Sequence, residues 1–271
     1  MPRFNIFFRL IVAAIGGLSI ARAAAQTPGN ARAAACQLET IGSAKVANVR
    51  DGRSFTLDDG REVRLAGIEV PSLAADKHGP GTQAPSAKAA LAALIADQTV
   101  TLKGGGQDRY GRLVAYAYLP DSEAPVQIAL LGAGHALVAT NPGGSGCAEP
   151  LLAAERKARA GKLGLWADPN FAPLQADDPS HVLADRGRFT LVEGKVLSVR
   201  EAGATIYVNF GRRWSRDFTV TILKRNRQMF SAAGIEPKAL EGHRIRVRGI
   251  IERRGGPIVE AAHPEQIELI D

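Results

Sequence analysis

The sequence predicts a β-rich α+β protein built from two small barrels. Three observations carry this reading. Short segments rich in Val, Ile, Leu and Thr recur between turn signals such as Asp51-Gly52 and Asp58-Asp59-Gly60. Helical patterning is confined to a few Ala- and Leu-rich stretches. A segment over 169–186, with Pro169, Pro173, Pro179 and the acidic pair Asp177-Asp178, reads as a linker between two strand-rich regions. The 271 residues are enough for two modest cores. With 45% apolar and 23% charged residues, wholesale disorder and a polytopic membrane protein are excluded.

The first region, 36–168, opens with strands over 44–50, 53–57 and 62–68, the last stopped by Pro71. A helix follows over 84–96. Strands over 99–103 and 113–118 flank Gly104-Gly105-Gly106 and Asp108-Arg109-Tyr110-Gly111-Arg112. Helices over 126–132 and 149–160 close the region, the second ended by Gly161. Five strands with helices on so short a chain suggest a barrel of the OB type. The second region, 187–271, has strands over 191–200, 205–210, 217–223, 244–252 and 258–261, with a short helix over 228–233. It reads as a second, OB-like β-barrel domain. Residues 45–52 and 195–202 form similar opening hairpins, either one device used twice or two ordinary hairpins.

Residues 1–25 have the make-up of an export leader. Arg3 and Arg9 give a basic start, and the apolar run over 10–20 is too short to span a bilayer. Small residues at Ala21-Arg22-Ala23 and Ala23-Ala24-Ala25 place the mature start near Ala24 or Gln26; the alternative is an N-terminal anchor. Export predicts a periplasmic or secreted product with no stable membrane span after cleavage. In that oxidising setting Cys36 and Cys147, the two cysteines of the chain, are expected to form a disulfide.

Three motifs of the first region go together: Val49-Arg50-Asp51-Gly52-Arg53-Ser54, Val63-Arg64-Leu65-Ala66-Gly67-Ile68-Glu69-Val70-Pro71 and Asp108-Arg109-Tyr110-Gly111-Arg112. In this order and spacing they resemble the staphylococcal nuclease (thermonuclease) family over about residues 44–168, and Leu163-Gly164-Leu165-Trp166 resembles its usual final helix exit. The resemblance implies a five-stranded barrel that hydrolyses DNA or RNA phosphodiesters with calcium. It implies Arg64 and Arg112 as phosphate and transition-state contacts, Glu69 as a cation ligand and Asp51 as a residue near the pocket. Two positions depart from the family pattern. Arg53 stands where the family has a second Asp ligand, and an arginine cannot coordinate calcium. Ser72 stands where it has its Glu base, and a lone hydroxyl is no base at neutral pH. The expectation is an Arg53–Glu69 ion pair in place of the cation, with hydrolysis lost or impaired. The competing expectation is an active nuclease with a relocated site using Asp51, Glu69 and Asp76.

The net charge of +7 is unevenly placed. The leader holds three arginines and no acid, residues 26–186 are slightly acidic, and residues 187–271 hold 15 basic and 10 acidic residues. Three basic clusters there suggest nucleic-acid binding: Arg212-Arg213-Trp214-Ser215-Arg216; Lys224, Arg225 and Arg227; and Arg244, Arg246 and Arg248, which alternate on one strand face. A solvated polar face is the alternative. Tyr110 and Tyr116 either stack on bases or pack a barrel, and the five histidines show no metal-ligand spacing. The resulting functional expectation is an exported nucleic-acid-binding protein, with an envelope protein-interaction module as a reading of another class. Oligomeric state is not legible.

Overall fold

The computed structural model describes Met1 and residues 38–71, 83–139 and 145–270. The leader, Cys36, Ser72, Asp76 and His78 lie outside the described residues.

The first barrel follows directly from alternation. Strands β1 (Thr40–Val49), β2 (Ser54–Leu57) and β3 (Glu62–Leu65) form a meander. The two-residue strand β4 (Ile68–Glu69) comes next. Helix α1 (Gln83–Ile95) then crosses to β5 (Thr99–Lys103), and β6 (Leu113–Tyr118) returns parallel to β3. The sheet closes as β1-β2-β3-β6-β5. Inward positions carry Val46, Phe55, Leu57, Val63, Leu65, Val100 and Leu102, all buried, and α1 adds Leu91 and Ile95. Tyr116 packs in this core, whereas Tyr110 is exposed. Helix α2 (Val126–Gly132), strand β7 (Leu137–Val138) paired to β4, and helix α3 (Ser145–Ala160) complete the region.

One crossing is held by two glycines. Gly134 (φ +73°) and Gly164 (φ +53°) meet backbone to backbone, and Leu165 N donates to Gly134 O at 2.8 Å. A Cβ on Gly134 would lie 2.1 Å from Leu163 O, so no other residue fits without moving the chain.

The stretch 169–186 is no free linker. After two 3-10 turns (Gly164–Ala167 and Pro169–Phe171), strand β8 (Leu174–Gln175) pairs parallel with β9 (Phe189–Lys195), and helix α4 (Pro179–Ala184) is capped by Asp178. Pro169 and Pro179 start helical turns rather than loosening the chain, and Leu174, Ala176 and Val182 join the second core.

The second region has strands β10 (Ser198–Ala202), β11 (Thr205–Asn209) and β12 (Thr219–Leu223), helix α5 (Arg227–Ala232), strands β13 (Arg244–Ile250), β14 (Glu252–Arg254), β15 (Gly256–Glu260) and β16 (Ile267–Leu269). The single strand expected over 191–200 breaks into β9 and β10, and that expected over 244–252 into β13 and β14. Both breaks are corners. Val196 N bonds His243 O on one sheet while Leu197 N bonds Asn209 O on the other. Treated as bent single strands, β9/β10 and β13/β14 give the order of the first barrel: a meander, a helix, then a last strand (β15) parallel to the third (β12). The shared hairpin is therefore one topology used twice.

The two barrels are fastened by a buried ion network. Arg248 on β13 is fully buried; its Nη1 lies 2.8 Å and its Nη2 3.0 Å from the two oxygens of Glu155 on α3. Arg248 also pairs with Glu268 on β16 and donates to Val138 O at 3.2 Å. Glu155 accepts from Val138 N at 2.6 Å and from Arg159 Nη1 at 2.8 Å. Arg246 binds Glu193 at 2.6 Å and approaches Glu268. Leu137, Ala158, Leu165 and Trp166 pack with Leu191 beside this network. The alternation over Arg244, Arg246 and Arg248 is real, but Arg246 and Arg248 are turned to carboxylates and α3 rather than to solvent.

The network has a pH signature. Burial alone would raise the Glu268 carboxyl, but Arg248, Arg159 and Arg246 outweigh it and hold it below the usual range. A lowered native value means the unfolded chain binds more protons in acid. The stabilisation is therefore present above the ordinary glutamate range and lost as pH falls through the native value. The urea midpoint of the wild type should drop more between pH 7 and pH 3.5 than that of Glu268→Gln; equal drops would contradict this.

Candidate active site

Each charged side chain at the first barrel's mouth is placed by a local device. The turn 51–53 is closed by Asp51, whose Oδ1 accepts from Arg53 N at 2.8 Å. Gly52 is required because α1 passes close by: a Cβ there would sit 2.7 Å from Ala87 Cβ. The β2–β3 register sets Ser54 opposite Arg64, and Leu65 N donates to Arg53 O at 2.7 Å, so Arg53 and Arg64 emerge at one end of the hairpin. The β3–β6 pairing sets Val63 beside Leu113, so Arg112 stands level with Glu62, two residues along the strand from Arg64 and near enough for its charge to act on it. Glu69 reaches Arg64 from β4.

The segment 108–112 is a self-contained turn. Asp108 Oδ1 accepts from Tyr110 N at 2.9 Å and Arg112 N at 3.1 Å, while Gly111 takes φ +79°. Asp108 Oδ2 holds Arg112 through Nε at 2.8 Å and Nη2 at 2.6 Å. These bonds keep the Asp108 carboxyl below its usual range, the Arg112 side chain being the largest cause. The exposed Tyr110 ring lies under Arg109 and Arg112. Arg112 and Tyr110 border a cleft of about 400 Å³ that also takes in Arg50, Asp51 and Ser54.

Glu69 is clasped by two arginines. Its Oε1 pairs with Arg53 Nη1 and its Oε2 lies 3.4 Å from Arg64 Nη2. Arg64 is held more loosely by Glu69 than Arg53 is. Burial lowers its pKa first, then the repulsion of Arg53 and Arg112, against the opposing pull of Glu69 and Asp108. Three guanidiniums and two carboxylates leave one positive charge in excess, in partly desolvated surroundings where an anion would be welcome.

The donor set does not fit calcium. That ion takes six to eight oxygens, commonly carboxylates. Both Glu69 oxygens face guanidiniums, Asp51 is committed to its turn, and Arg53 would repel a cation. Among the described residues no group of three or more His, Cys, Asp and Glu is placed to hold a metal. Ser72 and Asp76 lie outside the described residues.

Of the residues expected to bind nucleic acid, Arg212, Arg213, Trp214, Arg216 and Arg225 are exposed, and none of the four arginines makes an ion pair among the described residues. Lys224 and Arg227 share Glu201. Arg244 is exposed at the strand end. Arg248 must be withdrawn from the set because it is fully buried, and Arg246 because Glu193 and Glu268 hold it. The residues missed are Glu155 and Glu268, whose partners lie far along the chain. Cys147 is buried at the start of α3 and is no free thiol; Cys36 lies outside the described residues. Among the described residues no helix is long and apolar enough to cross a membrane.

Residues 62–168 match the family described as staphylococcal nuclease homologue. Two curated proteins, from Escherichia coli O157:H7 and Escherichia coli, are each named "Uncharacterized endonuclease". Each is 30% identical over 133 residues, which cover 48% of this chain and 80% of theirs.

Proposed function

The chain belongs to the staphylococcal nuclease family, and from that premise we propose that it is an exported nucleic-acid-binding member whose calcium-dependent phosphodiester hydrolysis is lost or impaired. The observation that carries this reading is the Glu69 carboxylate held between Arg53 and Arg64. An ion pair fills the place where the family's pattern calls for a cation, and Arg64 and Arg112 remain to receive a phosphate. Two guanidiniums at a phosphate neutralise charge and fix orientation without needing a metal. Export is supported by the make-up of residues 1–25, and a Cys36–Cys147 disulfide by a Cys147 that is not free. In that reading the mature protein acts in the periplasm or outside the cell.

Arg64→Ala should weaken binding of a short DNA about 10- to 150-fold, the range of one charge-assisted phosphate bond. Anisotropy of a labelled oligonucleotide at fixed salt measures it. Unchanged affinity in Arg64→Ala and Arg112→Ala alike would remove the phosphate role of this cluster. A second reading is favoured by the word "endonuclease" in the names of the relatives: an active nuclease with an altered metal or base. Cleavage of plasmid DNA by the mature protein that stops on adding EDTA and in Arg64→Ala would establish it.

A further inference from the structure

The outer face of the second barrel carries a cleft that the family match does not reach. Strands β10, β11 and β12 alternate strictly. Val199, Ile206, Val208, Val220 and Ile222 point into the core. The opposite set forms two cross-strand rows, Ser198–Asn209–Thr219 and Arg200–Tyr207–Thr221. These rows floor a cleft of about 970 Å³, roughly 10 Å across three strands. The floor is polar, with Arg200 as its charged member, and Glu241 and Arg254 also line the cleft. Thr221 is buried, and its Oγ1 has no hydrogen-bond partner among the described residues.

One wall of the cleft is Trp214, 73% exposed. Its ring lies near the turn at Gly255, where a Cβ would come within 3.2 Å of ring atom Cζ3. Behind Trp214 a second hollow of about 420 Å³ is lined by Arg212, Arg213, Arg216 and Arg253. Arg212 and the Gly256-Pro257 pair border both hollows, so the two adjoin. Asp217, the acid lining the second hollow, is occupied in accepting from Arg213 N at 2.7 Å. The arginines are left with no ion pair among the described residues.

We propose that this cleft is a binding groove for single-stranded nucleic acid, separate from the arginine cluster of the first barrel. Bases stack on Trp214 and Tyr207 and hydrogen-bond to the Ser, Asn and Thr floor. The backbone turns past Trp214 so that phosphates meet Arg212, Arg213 and Arg216. A duplex buries its base faces in its own stack and cannot offer them to Trp214. A neutral oligosaccharide would suit the aromatic floor but leave four guanidiniums unused. A single strand uses both halves. The inference rests on the reading that the chain handles nucleic acid, but on different residues from those in the first barrel.

The test uses the full mature chain and a labelled dT oligomer, with a matched duplex and a neutral oligosaccharide as comparisons. The single strand is expected to bind more tightly than the duplex and to quench Trp214 fluorescence. Trp214→Ala should weaken it roughly 5- to 100-fold, the range for removing one stacking platform. Arg212→Ala with Arg213→Ala should lower the salt slope by about 0.7 for each phosphate that is no longer neutralised. These side chains are exposed, so thermal melting should be unchanged and a folding defect excluded. Unaltered single-strand affinity in Trp214→Ala, equal or tighter binding of the duplex, or preference for the oligosaccharide would overturn the groove. Weakening confined to Arg64→Ala would overturn it too while sparing the first-barrel reading; the reverse pattern would sink that reading and leave the groove.

Discussion

Arg248→Ala is expected to destabilise the protein by about 3–5 kcal/mol, a large share of the roughly 5–15 kcal/mol that a domain possesses. The reason is what it leaves behind. Glu155 is fully buried and Glu268 nearly so, and both lose their central guanidinium while remaining out of water. Arg248 itself stays charged: burial opposes its charge, but the two carboxylates outweigh burial and raise its pKa. Urea unfolding measures the effect directly. Arg248→Met with Glu155→Leu removes a charge and its partner together and should recover part of the stability. A decrease below about 1 kcal/mol in Arg248→Ala would mean that the network is incidental to folding.

Arg53→Asp is expected to create a calcium site at Glu69, where an ion pair now stands. The substitution removes the guanidinium that occupies Glu69 and supplies a second carboxylate beside it, a change of two charge units. If the site reaches a Kd of about 0.1–1 mM, ordinary for an extracellular calcium module, about 10 mM calcium would stabilise the variant by roughly 1.4–2.7 kcal/mol. Thermal melts with calcium and with EDTA read this as a shift in the variant and none in the wild type. An equal calcium shift in both would show that the Arg53–Glu69 pair does not exclude the ion. Cleavage should remain slow in Arg53→Asp, since a missing general base costs about 10²–10⁴ in rate. Adding Ser72→Glu is the step expected to restore it.

Much of the first barrel is legible in the sequence because its signals are local. Asp51-Gly52 specifies a turn, Val63 and Leu65 specify an inward face, and Asp108 to Arg112 encodes its own loop through backbone bonds. The Arg53–Glu69 pair is legible through the resemblance, because both residues stand at positions where the nuclease family has its cation ligands. The fate of Arg246 and Arg248 is not. Alternation says that they share a face, but not whether that face meets water or a helix, and Glu155 lies 93 residues away. The bends at Val196 and Ile251 are hidden because a strand that changes sheets keeps its apolar pattern. The prolines of 169–186 mislead because Pro starts a helical turn as readily as it loosens a loop.

The placement of Glu155 constrains how such a protein can vary over time. It sits on the last long helix of the family-matched segment, yet its charge is balanced largely by the appended barrel. A recombination event carrying the nuclease-like half elsewhere would transplant a buried carboxylate without its main counter-charge. Cut free, that half would keep Arg159 as the partner of Glu155 on its own helix, so it should travel most easily where a neutral residue replaces Glu155.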